Sequence, residues 1–308
     1  MTAQVIDGRK LAVTLRATVA QEVSALARDG IACRLATVSV GDDDSAKLYE
    51  RRIATTAADL RVGHTHVGLA HDVTQGDVIE AITALNDDPS ISAILILRPV
   101  PAHLEEAEIF ASIAPTKDID GVHPENLGLL VVGKPRFVSP TAASAFHALD
   151  AWIDQSGIDS RDFYHHSLVV VVGRSANVGK PALLLALQRQ AAAESVDEWT
   201  SRHGQLGWHT RRADVLIVAA GSPRLIRAEH VREGTVVIDV GINAVRDETG
   251  MHIVGDVDFT QVRSRARALT PVPGGIGPLT DLWVMRNALV ASRLNGCPAA
   301  LSAGIAIS

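Results

Sequence analysis

The chain has 308 residues, 47% of them hydrophobic and 21% charged, with a formal net charge of −6. That is enough apolar material for one large domain or two ordinary ones, and the absence of a basic stripe argues against a nucleic-acid partner. No apolar run reaches the roughly 18 residues of a membrane helix, and the first residues lack a signal-peptide core, so no membrane partner and a cytoplasmic location are expected. Cys33 and Cys297 are the two cysteines, too few for a disulfide framework or a thiolate metal site, and no metal site is expected.

Leu11, Leu15, Val19, Val23 and Leu26 recur at helical spacing, so residues 9–28 read as an amphipathic helix. "LATVSV" (35–40) reads as a strand ending at Gly41, with a polar helix following over 45–60. "AILIL" (93–97) is a second buried-type strand that stops at "RPVP". A domain boundary is placed near 140, where "GKPRFVSPT" interrupts the pattern with two prolines and a glycine. "SLVVVVG" (167–173), "ADVLIVAAG" (213–221) and "TVVIDVG" (235–241) supply further strands, and the Ala-rich stretch 183–193 reads as a helix. Strands alternating with helices imply α/β units around a parallel sheet covered on both faces.

The strand at 167–173 runs into "GRSANVGKP" (173–181) and then into the apolar "ALLLALQ". A glycine after a strand and another opening a helix suit a nucleotide-binding turn: glycine admits phosphate to the backbone, and the helix N-terminus offers free N–H groups. The pattern is GxSxxxG rather than GxGxxG, so a tight turn without a ligand fits it as well. Asp197 lies 18 residues beyond Gly179, close to where a dinucleotide fold places the acid that meets the ribose hydroxyls. A carboxylate there, with Glu198 beside it, favours NAD over the 2′-phosphate of NADP. Arg174 and Ser175 point the other way, since they could receive that phosphate, and Asp197 also fits an ordinary strand end. "PTKDIDGVHPENLG" (115–128) mixes acids with turn residues, and Asp in a turn often binds only its own backbone. "TPVPGGIGPLTD" (270–281) carries three prolines and three glycines, which excludes a helix or a central strand and demands a shaped loop or a linker.

"VIDGRKLA", "SVGDDDSAKLY", "LRPVPAHL", "PTKDIDGVHPENLG", "VVGRSANVGKP", "ADVLIVAAGSP", "VVIDVGIN", "VGDVDF" and "TPVPGGIGPLT" occur in this order. Together they closely resemble the methylenetetrahydrofolate dehydrogenase/cyclohydrolase (FolD-type) family over about residues 5–292. The resemblance implies a two-domain α/β protein. Residues 1–140 and a C-terminal helix at about 279–295 would form the folate-binding catalytic domain. Residues 141–278 would form a Rossmann-like dinucleotide domain, with the active site in the cleft between the two. It implies that Asp120 binds the pterin ring and that Tyr49 packs against the folate. Pro273, Gly274 and Gly275 would line the site, and Thr280 would start the last helix. Gly173, Arg174, Ser175, Val178, Gly179, Gly221, Ile242 and Thr280, with Asp197, would hold the dinucleotide. Partners implied are tetrahydrofolate derivatives and a second copy of the chain as a homodimer.

Two positions depart from the family pattern. Its Tyr-x-x-x-Lys reads "YERRI", so Ile53 stands at the lysine position, and its Gln-Leu-Pro-x-Pro reads "LRPVP", so Leu97 stands at the glutamine position. Arg51 and Arg52 face other directions, because one residue turns a helix by about 100°, and Arg does not act as a base at neutral pH. Lys47 would serve only if the alignment slipped. Oxidising the methylene bridge moves a hydride and no proton, so ring positioning does most of the work. Hydrolysing the methenyl cation needs an activated water. The expectation is an NAD-preferring dehydrogenase with cyclohydrolase activity lost or weak. The alternatives are a bifunctional enzyme, a dehydrogenase for another substrate, and a non-catalytic folate or dinucleotide binder. His123 is read as structural, His165–His166 as a solvated loop, "RSRARA" (263–268) as a solvated basic helix face, and Cys297 as an incidental thiol.

Overall fold

The structure, a computed structural model, describes residues 2–247 and 250–296; Cys297 lies outside them. The chain divides into two compact units. One is drawn from residues up to Thr14 and Thr141–Thr280, the other from Leu15–Pro140 and the residues from Asp281 on.

In chain order the elements open with strand β1 (Gln4–Val5), helix α1 (Gly8–Arg28), β2 (Arg34–Val40), α2 (Asp44–Asp59), β3 (Gly63–Leu69), α3 (Gln75–Asp87) and β4 (Ala93–Ile96). Next come α4 (Glu106–Ala111), α5 (Pro124–Val131), α6 (Pro140–Gln155) and α7 (Ser160–His165). Then follow β5 (Leu168–Val172), α8 (Gly179–Gln188), β6 (Ala192–Val196), α9 (Glu198–Arg202), α10 (Leu206–Thr210) and β7 (Val215–Val218). The last are β8 (Val236–Asp239), β9 (Asn243–Asp247), β10 (Gly250–Val254), α11 (Phe259–Val262), β11 (Ala268–Leu269) and α12 (Gly277–Gly296).

In the unit built on 15–140, β2 pairs in parallel with β3 on one side and β4 on the other. Val38, Ile82, Ile94, Ile109 and Phe110 are among the apolar side chains buried in its core. Two of its helices start where side chains satisfy their first free N–H groups. Asp43 caps α2 through Ser45 N and Ala46 N, and Thr74 and Asp77 cap α3 reciprocally. Asn287 of α12 donates to the carbonyls of Ile119 and Val138 at 2.7 and 2.9 Å, which fixes the segment carrying Asp120.

The other unit holds a six-stranded parallel sheet in the order β1-β11-β8-β7-β5-β6, plus the antiparallel hairpin β9–β10. The strands "VLIV" and "VVID" are buried at every position, the run expected of strands covered on both faces.

The structure corrects several expectations. Residues 1–140 do not form a single body, because Gln4 and Val5 pair with Ala268 and Leu269. The stretch 183–193 is not one helix: α8 ends at Gln188, and Ala192 already pairs with Leu168, so sheet pairing overrides the helix propensity of alanine. Residues 263–267 form turns and irregular backbone leading into β11, which takes Ala268, rather than a helix. His165 ends α7 and His166 caps it. The last helix starts at Gly277 rather than at Thr280, whose hydroxyl donates to the Ile276 carbonyl. Among the described residues no helix is long and apolar enough to cross a membrane.

Candidate active site

The carboxyl ends of β5, β6 and β7 open on a cavity of about 520 Å³, lined by Gly173, Arg174, Ser175, Asp197, Ala219 and Ser222 among others. Ligands of open parallel α/β sheets bind at this end of the strands. Gly173 has φ +119, and a Cβ on it would lie 2.1 Å from the Ala219 carbonyl oxygen. A Cβ on Gly179 would lie 2.2 Å from the Gly173 carbonyl oxygen. The turn therefore needs both glycines for its own packing, whether or not phosphate binds. Val178 caps α8 with no side-chain bond, while the Ser175 hydroxyl accepts from Gly179 N. That leaves the α8 N-terminus as an anion-favouring end beside the cavity.

Asp197 follows β6 and caps α9, accepting from Thr200 N at 3.2 Å, and it pairs with Arg174 Nη1 at 2.8 Å. The Thr200 N–H, and after it Arg174, hold this carboxyl below the usual range. Arg174 also donates to the Ser195 carbonyl at 2.8 Å. Cavity lining thus unites Gly173, Arg174, Ser175 and Asp197; Val178, Gly179, Gly221, Ile242, Pro273 and Thr280 are not part of it. Ile242 is 58% exposed.

Two buried carboxylates organise the neighbouring loops. Asp256 accepts from Ala220 N, Gly221 N and Ser222 N at 2.6, 2.9 and 2.9 Å, and from Asn243 Nδ2 at 2.8 Å. Asp239 accepts from Gly241 N, Asp256 N and Val257 N at 3.0, 3.1 and 3.0 Å. Burial, followed by the nearby Asp256 charge, pushes Asp239 up to about 7 against its backbone donors. The 270–281 loop is equally defined. Gly274 has φ +107, and a Cβ on Gly8 would sit 1.6 Å from the Gly275 carbonyl oxygen, so backbone packs directly on backbone.

In the other unit, the "KDID" acids separate into two roles. Asp118 is fully buried and accepts from His123 N and Asn126 Nδ2, each at 2.8 Å. Lys117 Nζ donates to the carbonyls of Leu85, Asn86 and Asp88, where a cation complements the end of α3. His123 caps α5. Asp120 keeps 16% of its side chain exposed and takes Arg98 Nη1 at 3.0 Å. Tyr49 on α2 sits in the field of Asp120, Asp281, Arg52 and Arg98, and burial pushes its phenol far up, so it remains a neutral donor. Arg52 Nη2 donates to both Asp281 carboxylate oxygens at 2.8 Å, and Nε to Oδ2 at 3.2 Å. Ile53 and Leu97 are fully buried core residues, and Lys47 pairs with Asp42. Sequence reasoning passed over Arg98, Asp281, Asp239 and Asp256; the arginine inside "LRPVP" and the acid ending "PLTD" were the visible signals.

A parallel sheet with a glycine turn and a capping acid at its carboxyl edge, in a chain with a second α/β unit and a match to an NAD(P)-binding domain model, defines a two-domain Rossmann-like dinucleotide-binding protein. Residues 151–295 match the tetrahydrofolate dehydrogenase/cyclohydrolase NAD(P)-binding domain, and residues 6–120 match the catalytic domain of the same name. Bifunctional protein FolD 3 of Rubrobacter xylanophilus is 48% identical over 296 residues, covering 95% of this chain and 93% of that protein. Bifunctional protein FolD of Geobacillus thermodenitrificans is 40% identical over 293 residues, covering 95% and 98%. The crystal structure of the Campylobacter jejuni bifunctional FolD superposes with a TM-score of 0.86 at 32% identity, covering 95% and 99%. The chain belongs to the tetrahydrofolate dehydrogenase/cyclohydrolase family.

Proposed function

We propose that the chain oxidises 5,10-methylenetetrahydrofolate to 5,10-methenyltetrahydrofolate, with NAD(P) as hydride acceptor. The observation that carries this reading is the split between two acids of one motif. Asp118 is fully buried and its Oδ2 is bound within its own segment, whereas Asp120 is held beside Tyr49 with part of its side chain accessible. A pterin presents a row of N–H donors, and a fixed carboxylate is their natural acceptor.

When bound, the dinucleotide supplies the hydride acceptor. The cation left on the methylene carbon is delocalised onto the two flanking nitrogens of the folate, so no side chain has to take a proton. The protein's part is to bind and orient. Asp120 would accept from the pterin, and the neutral Tyr49 phenol would pack on it and donate. Gly173, Arg174, Ser175, Val178 and Gly179 would meet the dinucleotide phosphates, and Asp197 the adenosine ribose. That carboxylate supports a preference for NAD, although a crystal structure of the Trypanosoma brucei relative, 30% identical with a TM-score of 0.87, carries NADP.

For hydrolysis of the methenyl product, the relatives at 48% and 40% identity are named bifunctional. That supports a cyclohydrolase step here as well, with a group other than positions 53 and 97 activating water. The expected loss of hydrolysis has no support from these relatives; it stands as a second reading, resting on the buried aliphatic Ile53 and Leu97. A homodimer remains a proposal from the resemblance, and light scattering tests it.

The deciding experiment is a paired assay. Methylenetetrahydrofolate oxidation is followed with NAD and with NADP, and methenyltetrahydrofolate decay is followed against an enzyme-free control. Oxidation with accelerated decay establishes the bifunctional reading. Oxidation with decay at the control rate establishes the monofunctional one. No oxidation with either dinucleotide overturns the proposal.

A further inference from the structure

The position before "PVP" holds leucine in the family pattern and Arg98 in this chain. Arg98 is only 24% exposed, and its guanidinium is divided between two carboxylates. Nη1 donates to Asp120 Oδ2 at 3.0 Å, and Nε donates to Glu106 Oε1 at 2.8 Å. Its flat face lies over the Phe110 ring, 4.3 Å from the centroid. Stacking, a half-buried stem and two charged acceptors leave this side chain little freedom. We infer that Arg98 is a positioning residue for the reaction: it fixes the Asp120 carboxylate, as an anion, in the orientation that meets the pterin N–H groups. This rests on the folate-binding reading above.

The charges around Asp120 make such a partner necessary. Burial disfavours its ionised form, and Asp118 and Glu106 add negative charge; Arg98 is the cation that opposes them. Tyr49 also faces it, but as a neutral phenol. An acceptor for N–H donors must be ionised to keep both oxygens free of a proton. Removing Arg98 therefore favours protonated Asp120, and binding that needs the anion is lost at a higher pH than before. Arg98 holds one Asp120 oxygen and leaves the other available to the ligand. Glu106, in turn, holds the guanidinium from behind through Nε.

The test is the pH profile of KM for methylenetetrahydrofolate in the full-length protein and in R98L, R98Q and R98K. In R98L the acid limb should move up by about one pH unit, so that KM at pH values below both limbs should rise about tenfold, with kcat at saturation changed little. R98Q keeps a donor without the charge and should behave as R98L does. R98K keeps the charge and should recover most of the shift. The dissociation constant for the dinucleotide serves as the fold control and should stay unchanged in all three. If R98L and R98Q both keep the wild-type limb, or if R98Q alone keeps it, Arg98 does not act through the Asp120 charge and the inference is overturned. A wild-type protein that does not oxidise methylenetetrahydrofolate would instead overturn the functional reading on which it rests.

Discussion

Arg174 and Asp197 meet at 2.8 Å in the lining of the cavity at the carboxyl ends of β5, β6 and β7, so a cation that could receive a 2′-phosphate is already engaged by an acid that would repel one. Asp197 also caps α9 through Thr200 N. Replacing it by alanine would confound specificity with capping, since losing a cap costs about 1 kcal/mol. Serine caps equally well and carries no charge. D197S is therefore expected to free Arg174, keep the fold, and shift the ratio of kcat/KM for NADP over NAD about tenfold or more towards NADP. Steady-state kinetics with both dinucleotides read this directly. An unchanged ratio would place the adenosine ribose away from Asp197.

Glycines in this chain answer to different constraints, and substitution separates them. In G179A the new methyl would meet the Gly173 carbonyl oxygen at 2.2 Å, backbone that has nowhere to move. A loss of about 2–4 kcal/mol and of dinucleotide binding is expected. Gly128, by contrast, lies within α5, and a methyl added there would meet no atom within 4 Å. G128A should stabilise by about 0.5–1 kcal/mol, because alanine loses less entropy in a helix. Urea denaturation of both variants checks the pair.

Local pattern carried much of this architecture. Runs such as "LVVVV" and "VLIV" have few alternatives to buried strands, and "GRSANVG" marks its turn by glycines that the backbone packing requires. The exceptions share a cause. The alanines near 192 look helical locally, and only the adjacent edge of β5 makes them a strand. The ion pairs were equally hidden, because Arg52 and Asp281 lie 229 residues apart and Arg98 and Asp120 lie 22 apart. Nothing local in the sequence marks Asp239, at the end of β8, or Asp256 until the neighbouring loops close around them. Ile53 and Leu97 show the reverse: their identities were plain, and the structure adds that both are sealed in the core.

Asp239 sets an expected pH dependence of stability. Its folded value is pushed up to about 7, against about 3.9 for an aspartate in an unfolded chain. Between those values the folded state binds more protons than the unfolded one, so stability falls as pH rises. The contribution is complete below about pH 4 and is lost as pH passes through 7. Urea midpoints measured from pH 5 to 8 should decline, and D239N should flatten that decline while lowering stability throughout, because its amide cannot accept from Gly241, Asp256 and Val257 together. A wild-type midpoint that rises over this range would show Asp239 to be ionised and stabilised by those donors.

Ile53 follows Tyr49 by one turn of α2 and has no exposed surface. A lysine there would lose its hydration, which favours the neutral amine, and a neutral amine is the form that accepts a proton from attacking water. I53K is accordingly expected to accelerate methenyltetrahydrofolate hydrolysis by about tenfold to a hundredfold. The same burial should lower the thermal midpoint, since an unpaired amine in the core costs several kcal/mol or draws water in (about 2–7 kcal/mol for a polar group). I53M supplies comparable bulk without a proton acceptor. Equal acceleration in I53M would trace the gain to loosened packing. A folded I53K with no gain would mean that position 53 does not face the methenyl carbon, and the buried isoleucine would then say nothing about the hydrolytic step.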